Sequence, residues 1–178
     1  MKKSLIAAAI LASSAFASMA NAADGTINFT GAISATTCKV ATGSGTVAVA
    51  MGTFSPDAFS TPGHKTAPQA VNITVNDCPA AITTASITFS GVADDDDSSL
   101  LGLTKGTGSS QHATGVAIGF FEEDGTTPIA LNTGASSAKP LAETVDNPLN
   151  FVARYVATGA TVAAGLANAN ADFTIKYN

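Results

Sequence analysis

The sequence predicts an all-β domain built as an antiparallel sandwich, on three observations. Short runs rich in β-branched and aromatic residues recur along the chain, each fenced by Gly, Pro, Asn, Asp or Ser. Apolar residues alternate at period two within those runs, so each run has one apolar face. No internal stretch sustains the 3.6-residue apolar period of a helix.

An export signal comes first. Lys2 and Lys3 are basic, Leu5 to Phe16 is a short apolar run, and Ala20-Asn21-Ala22 has the small-x-small pattern of a cleavage site. The run is too short to span a bilayer as a helix. Residues 1–22 are therefore expected to be removed, leaving a soluble exported chain from Ala23 to Asn178, 156 residues long. That length suffices for one domain with its own core.

The first alternating stretch is Asp24 to Ser34, with Ile27, Phe29, Gly31 and Ile33 on one face. Only Ala35-Thr36-Thr37 separates it from Cys38. Strands are then expected at Thr46–Val49, Ala70–Val75, Ala85–Phe89, Gly115–Phe121 and Asn150–Val156. Between Phe121 and Ile129, the segment Glu122 to Pro128 centres on Asp124-Gly125 and reads as a hairpin turn. Ala157 to Ala171 is rich in alanine, but Gly159, Gly165 and its asparagines make it a loop. The last strand, Ala171 to Asn178, puts Phe173, Ile175 and Tyr177 on one face. An apolar face carried to the final residue implies a docked terminus, since free ends fray. Seven or so half-buried strands at this spacing give a sandwich of immunoglobulin type. The Cys…Trp…Cys hallmark of antibody domains is absent, because there is no Trp.

Charge and cysteine usage narrow the function. Two of the eight basic residues leave with the signal, so six face 13 acidic ones and the mature net charge is −7. An acidic chain with scattered cations argues against nucleic acid and anionic membranes as partners. Charged residues are sparse and small residues abundant, which suits close packing in an assembly. Cys38 and Cys78 lie in an exported chain, where the oxidising compartment makes a disulfide the default. Closing a loop of about 40 residues stabilises by roughly 4 kcal/mol in the chain-entropy model. A metal would need more ligands than two distant thiols.

Other motifs carry little chemistry. Asp94-Asp95-Asp96-Asp97 lacks the spaced ligands of a Ca²⁺ loop and reads as a solvated acidic loop. His64 and His112 stand singly in Gly/Ser/Thr-rich loops without a catalytic signature. Asn28-Phe29-Thr30 and Asn72-Ile73-Thr74 match the glycosylation sequon but fall inside expected strands. Gly43-Ser44-Gly45 and Gly106-Thr107-Gly108 lack the strand–helix context of a phosphate loop and read as turns. No catalysis, cofactor or metal is expected.

Periodicity leaves two readings of Asp24 to Ser34: a first strand folded into its own domain, or a strand in search of a partner. A resemblance bears on the choice. Gly25 to Gly31 followed by Cys38, the Cys38 to Cys78 spacing with Asn76-Asp77 before the second cysteine, and Ala153 to Gly159 resemble segments of chaperone–usher pathway pilins. So does the C-terminal motif, with Gly165 fourteenth from the end and Tyr177 as the penultimate aromatic. Among these pilins the chain is similar to the major-subunit family of type 1 fimbriae, across the whole mature length.

The resemblance implies an incomplete immunoglobulin-like sandwich lacking its last strand and completed by donor-strand exchange. Residues 23–34 would be the N-terminal donor-strand extension, and 35–178 the pilin domain. Ile27, Phe29, Gly31 and Ile33 would fill the groove of another subunit, beside a C-terminal acceptor and chaperone-recognition strand marked by Gly165, Phe173, Ile175, Tyr177 and Asn178. Such strand addition is a known recognition mode, with donor-strand complementation among its stock examples. Gly31 would permit a close approach or leave a shallow pocket. The Asn178 carboxylate would be a free anion for a chaperone's basic residues. The implied partners are identical or homologous pilin subunits, a periplasmic chaperone and an outer-membrane usher, with passage through the periplasm to a surface fimbria. The contact would be head to tail and need not close. A minor or adaptor pilin would share these strands. A self-contained exported binding domain, for instance for a glycan, is the competitor of another class. It is poorly served by a chain with no Trp and only Tyr155 and Tyr177.

Overall fold

The computed structural model describes residues 27–31, 33, 37–41, 45–106 and 111–178. The signal segment 1–22 lies outside the described residues, as do positions 24–26, 32 and 34 of the first alternating stretch. The chain divides into two units, Met1–Ile33 and Ser34–Asn178.

In the second unit the described residues form eight strands: β1 (Lys39–Val40), β2 (Gln69–Asn76), β3 (Thr84–Gly91), β4 (Val116–Glu122), β5 (Pro128–Ile129), β6 (Lys139–Pro140), β7 (Asn147–Ala157) and β8 (Ala171–Tyr177). They make two antiparallel sheets, one in the order β1-β2-β7-β4-β5 and the other β6-β3-β8. A 3-10 turn at Pro56–Ala58 is begun by Ser55, whose Oγ accepts from the Asp57 N–H. None of the described helices is long and apolar enough to cross a membrane.

Alternation put these residues in strands, and burial follows it. Val71, Ile73 and Val75 of β2 are buried between more exposed neighbours, as are Ala85, Ile87 and Phe89 of β3. Register pairs apolar with apolar across the ladders: Ile73 opposite Leu149, and Ile87 opposite Ile175. Phe89 of the small sheet stacks on Phe120 of the large one at 4.2 Å and meets Phe151 edge-on at 5.5 Å. The core therefore lies between the two sheets. Cys38 and Cys78 are disulfide-bonded and buried, with Cα atoms 4.1 Å apart. The bond ties the start of β1 to the chain just past β2, where β1 alone offers only two ladder residues.

Three features depart from the sequence reading. β4 is buried on both faces, because Phe121 on its outer face lies over Gly119, where an added Cβ would stand 2.9 Å from the ring. The Lys65 ammonium sits 5.7 Å above the same ring. Thr46–Val49, expected as a strand, keeps its alternation but pairs with nothing: Val47, Val49 and Met51 are half-buried while Thr46, Ala48 and Ala50 are exposed. The described part of the first alternating stretch likewise joins no ladder.

Polar detail fixes the joints. Asp124 accepts from the N–H groups of Thr126 (2.7 Å) and Thr127 (2.8 Å), closing the turn that Gly125, at φ 67°, allows. The segment 158–170 is irregular, with isolated bridges from Ala163 to Thr114 and from Leu166 to His112. Lys139 on β6 reaches Glu122 on β4 at 2.9 Å, a little-exposed ion pair linking the two sheets. The same ammonium lies 5.6 Å above the Phe151 ring.

Candidate functional site: an open groove along the last strand

The small sheet ends at β8, which pairs with β3 and with nothing on its other side. Asn178 and Thr84 exchange both backbone bonds, at 2.9 and 3.0 Å, so they form a hydrogen-bonded pair. Such pairs alternate along an antiparallel ladder. The N–H and C=O groups of Ala171, Phe173, Ile175 and Tyr177 consequently point away from β3, toward the open edge. β3 obeys the same parity: Ile87 exchanges bonds with Ser136 on the side away from β8.

Side chains on those same residues face inward. Phe173, Ile175 and Tyr177 stand opposite Phe89, Ile87 and Ala85, all three of which are buried. Yet the β8 residues themselves are only half-buried. Their flank is bare because β8 pairs with nothing on that side, and a groove of about 1380 Å³ opens beside Phe173. Residues 167–173 form one rim and residues 45–53 the other, while Ile73, Phe89, Ile118, Phe120 and Tyr155 contribute to the floor. Among the described residues, none makes a backbone hydrogen bond to 45–53. That is why the Thr46–Val49 run alternates without a ladder: its inner side packs on the core, and the position of its lateral neighbour is empty.

Tyr155 steadies one end of both rims. Its hydroxyl donates to the Ala167 carbonyl at 2.7 Å, and Phe54 meets its ring edge-on at 6.1 Å. Burial pushes the Tyr155 phenol above its ordinary pKa, so the donor proton stays in place. The Tyr177 phenol is raised for the same reason.

The expected site residues fall as follows. Ile27, Phe29 and Ile33 are exposed at 78, 91 and 104%, and Gly31 is exposed between them. Phe173 lines the groove directly, and Ile175 and Tyr177 continue its inner face along β8. Gly165 is not on that strand. It lies in the preceding loop against the backbone of His112 and Ala113, where a Cβ would come within 2.4 Å of the Ala113 nitrogen. Asn178 is held at the end of the strand: its backbone oxygen accepts from the N–H groups of Thr83 (2.9 Å) and Thr84 (3.0 Å). The 45–53 rim went unassigned as a site in the sequence, although the alternation of Val47, Val49 and Met51 marked it.

Elsewhere the chemistry is structural. Asp94 accepts from the N–H groups of Asp96 and Asp97, and Asp97 from that of Ser99, so much of the acidic run caps its own loop. Asp95 pairs with Lys105 at 2.8 Å, and that ammonium holds its carboxyl below the usual range. No cluster of three or more His, Cys, Asp or Glu residues suited to a metal occurs among the described residues. The groove offers an apolar floor between two unsatisfied backbone edges, which is what a β-strand with one apolar face requires.

An immunoglobulin-like sandwich with a strand-sized opening beside its C-terminal strand defines a subunit built to be completed. Residues 27–178 match the fimbrial protein family. A type-1 fimbrial protein subunit of Serratia marcescens is 36% identical, with 99% of each chain covered. Long polar fimbria protein A of Salmonella typhimurium is 37% identical over 99% of this chain and 97% of its own. The crystal structure of a Burkholderia pseudomallei antigen and type I fimbria protein is 37% identical, with a TM-score of 0.60, over 86% of this chain and 97% of that one. The P pilus rod subunit PapA, at 21% identity and a TM-score of 0.65, shares the fold over 80% of this chain and all of its own. The chain belongs to the fimbrial protein family and is a structural subunit of a fimbria.

Proposed function

We propose that this subunit polymerises head to tail by donor-strand exchange, the segment Ala23–Ser34 of one copy entering the groove of the next. One juxtaposition carries the reading: a groove with an apolar floor bounded by two unpaired backbone edges, in a chain whose N-terminal stripe of Ile27, Phe29 and Ile33 is exposed. A stripe and a groove on different parts of the same chain make a heterologous contact, and such contacts propagate into open filaments. Before assembly the groove is an aggregation hazard. A periplasmic chaperone that lends a strand, and an outer-membrane usher that receives the complex, would protect it after the signal is removed. The groove's backbone edges suit such a loan equally well. The fibre then displays the subunit at the cell surface.

The test uses the mature chain without Ala23–Ser34 and a synthetic Asp24–Ser34 peptide. The truncated chain is expected to fold with its disulfide formed and to melt at least several degrees higher with saturating peptide. A melting temperature indifferent to the peptide, together with an intact chain that stays monomeric, would favour a self-contained binding domain.

A further inference from the structure

β8 carries two charges on its outer face, Asp172 near its start and Lys176 near its end, four residues and roughly 13 Å apart. Both are exposed, and the β3 residues opposite this stretch of the outer face, Ser90, Thr88 and Ser86, are neutral. Lys176 takes part in none of the ion pairs formed among the described residues. Asp24 carries the sole charged side chain of the donor segment 24–34, and in an extended donor strand its even number would put it on the face opposite Ile27, Phe29 and Ile33.

Parity restricts how the two strands can meet. The donor's apolar residues must share the inner face with Phe173, Ile175 and Tyr177, so antiparallel placements differ by steps of two. Placing Ile27 beside Ala171 would carry Ile33 to Gly165, beyond the residues that line the groove, so Ile27 stands beside Phe173, Ile175 or Tyr177. The first placement sets Asp24 beside Lys176. It also strings Ile27 to Ile33 along positions 173 to 167, the stretch of this rim that lines the groove. The alternation of β8 continues upstream there, with Ala167 and Ala169 half-buried between exposed Asn168 and Asn170. Large donor side chains meet small rim residues in this register: Phe29 beside Ala171 and Ile33 beside Ala167. The second placement brings Asp24 to Asn178 and its anionic terminus, and the third carries it past the end of the chain. A parallel strand filling the same stretch would begin at position 167 and take Asp24 upstream, away from Lys176.

We propose that Asp24 of an incoming copy pairs with Lys176 on the outer face of β8 and so selects the register in which Ile27 lies beside Phe173 and Gly31 beside Ala169. The pairing rests on the strand-exchange reading above and deepens it. The experiment compares polymerisation rates of the mature chain as D24K, K176D and D24K/K176D at low salt. Each single reversal is expected to slow assembly about three- to fivefold, the range of an exposed cross-strand charge pair. The double reversal should return to within about twofold of the wild type, and roughly 1 M NaCl should erase the differences. Single variants that assemble at the wild-type rate, or a double variant slowed by the product of the singles, overturn the pairing. Phe29→Asp separates the two levels, since strand exchange requires it to stop assembly in any register. Assembly of F29D at the wild-type rate overturns strand exchange, and the pairing with it. An inert F29D beside unaffected charge variants overturns the pairing alone.

Discussion

At the scale of single residues, the chain places polar groups where the backbone has to turn or stop. Asp124 is the clearest case. Its carboxylate takes the Thr127 hydroxyl and the N–H groups of Thr126 and Thr127, and these donors hold its pKa down from 3.8 to about 2. A carboxyl whose folded pKa lies below its unfolded value contributes stability that is present in full above the unfolded value. That contribution is lost as pH falls through the folded one. The stability gap between the wild type and D124A should therefore be constant above about pH 5 and shrink steadily toward pH 2, as read from urea midpoints across a pH series. A gap that did not change over that window would mean that the turn does not depend on the ionised group. Gly165 answers a different need, close approach. With a Cβ 2.4 Å from the Ala113 nitrogen, any side chain there would push the 158–170 loop off the bridge between His112 and Leu166. Its role is to seat the loop that leads into the groove rim, one step removed from the strand to which its spacing assigned it.

At the scale of elements, the two sheets meet through the aromatic stack of Phe89 on Phe120 and through the Lys139–Glu122 pair. Glu122 also accepts from the Ser137 N–H, so one carboxylate anchors both the ammonium and the backbone just ahead of β6. Removing one partner of a largely buried pair leaves an uncompensated charge, at a cost of about 3 kcal/mol. Lys139→Ala should lower stability by about that amount, while Lys139→Met with Glu122→Gln, which keeps an acceptor for the Ser137 N–H, should lose much less. Chemical denaturation of the two variants checks the ordering. Much of this layer was legible in the sequence, because alternation reports which side chains face inward: β2, β3, β7 and β8 follow from Val71/Ile73/Val75, Ile87/Phe89, Phe151/Ala153/Tyr155 and Phe173/Ile175/Tyr177. Alternation says nothing of ladders. The 45–53 rim has the pattern of a strand and no partner, so its role in the groove could be seen only once the neighbouring position was known to be empty. β5 and β6, two residues each, carry no period at all. The outer face of β4 was hidden for another reason: Phe121 is covered by Lys65, a polar residue distant in sequence. The capture of the Asn178 terminus by Thr83 and Thr84 likewise depends on strand register, which no local motif encodes.

At the scale of the whole molecule, the sandwich is finished only by something that occupies the groove. Filling it would bury the large side chains of Ile27, Phe29 and Ile33, each worth about 1.5–3 kcal/mol, or roughly 5–9 kcal/mol together. The same strand would satisfy the outward N–H and C=O groups of Ala171, Phe173, Ile175 and Tyr177. It would also give the 45–53 rim the lateral neighbour that its alternation lacks. Because one inserted strand supports both rims, its effect should spread through the domain and appear as a single cooperative shift in melting. Polymer is accordingly expected to melt at least 10 °C above monomer of the same mature chain. For a domain of this size that difference corresponds to only a few kcal/mol, well inside the burial estimate. Differential scanning calorimetry on separated monomer and polymer reads it directly. Rim and core should unfold in one transition in the polymer, whereas in the monomer amide exchange at 45–53 should run ahead of exchange in β3 and β7. Equal melting temperatures, or equal protection of the rim in both forms, would mean that the groove is not where copies join.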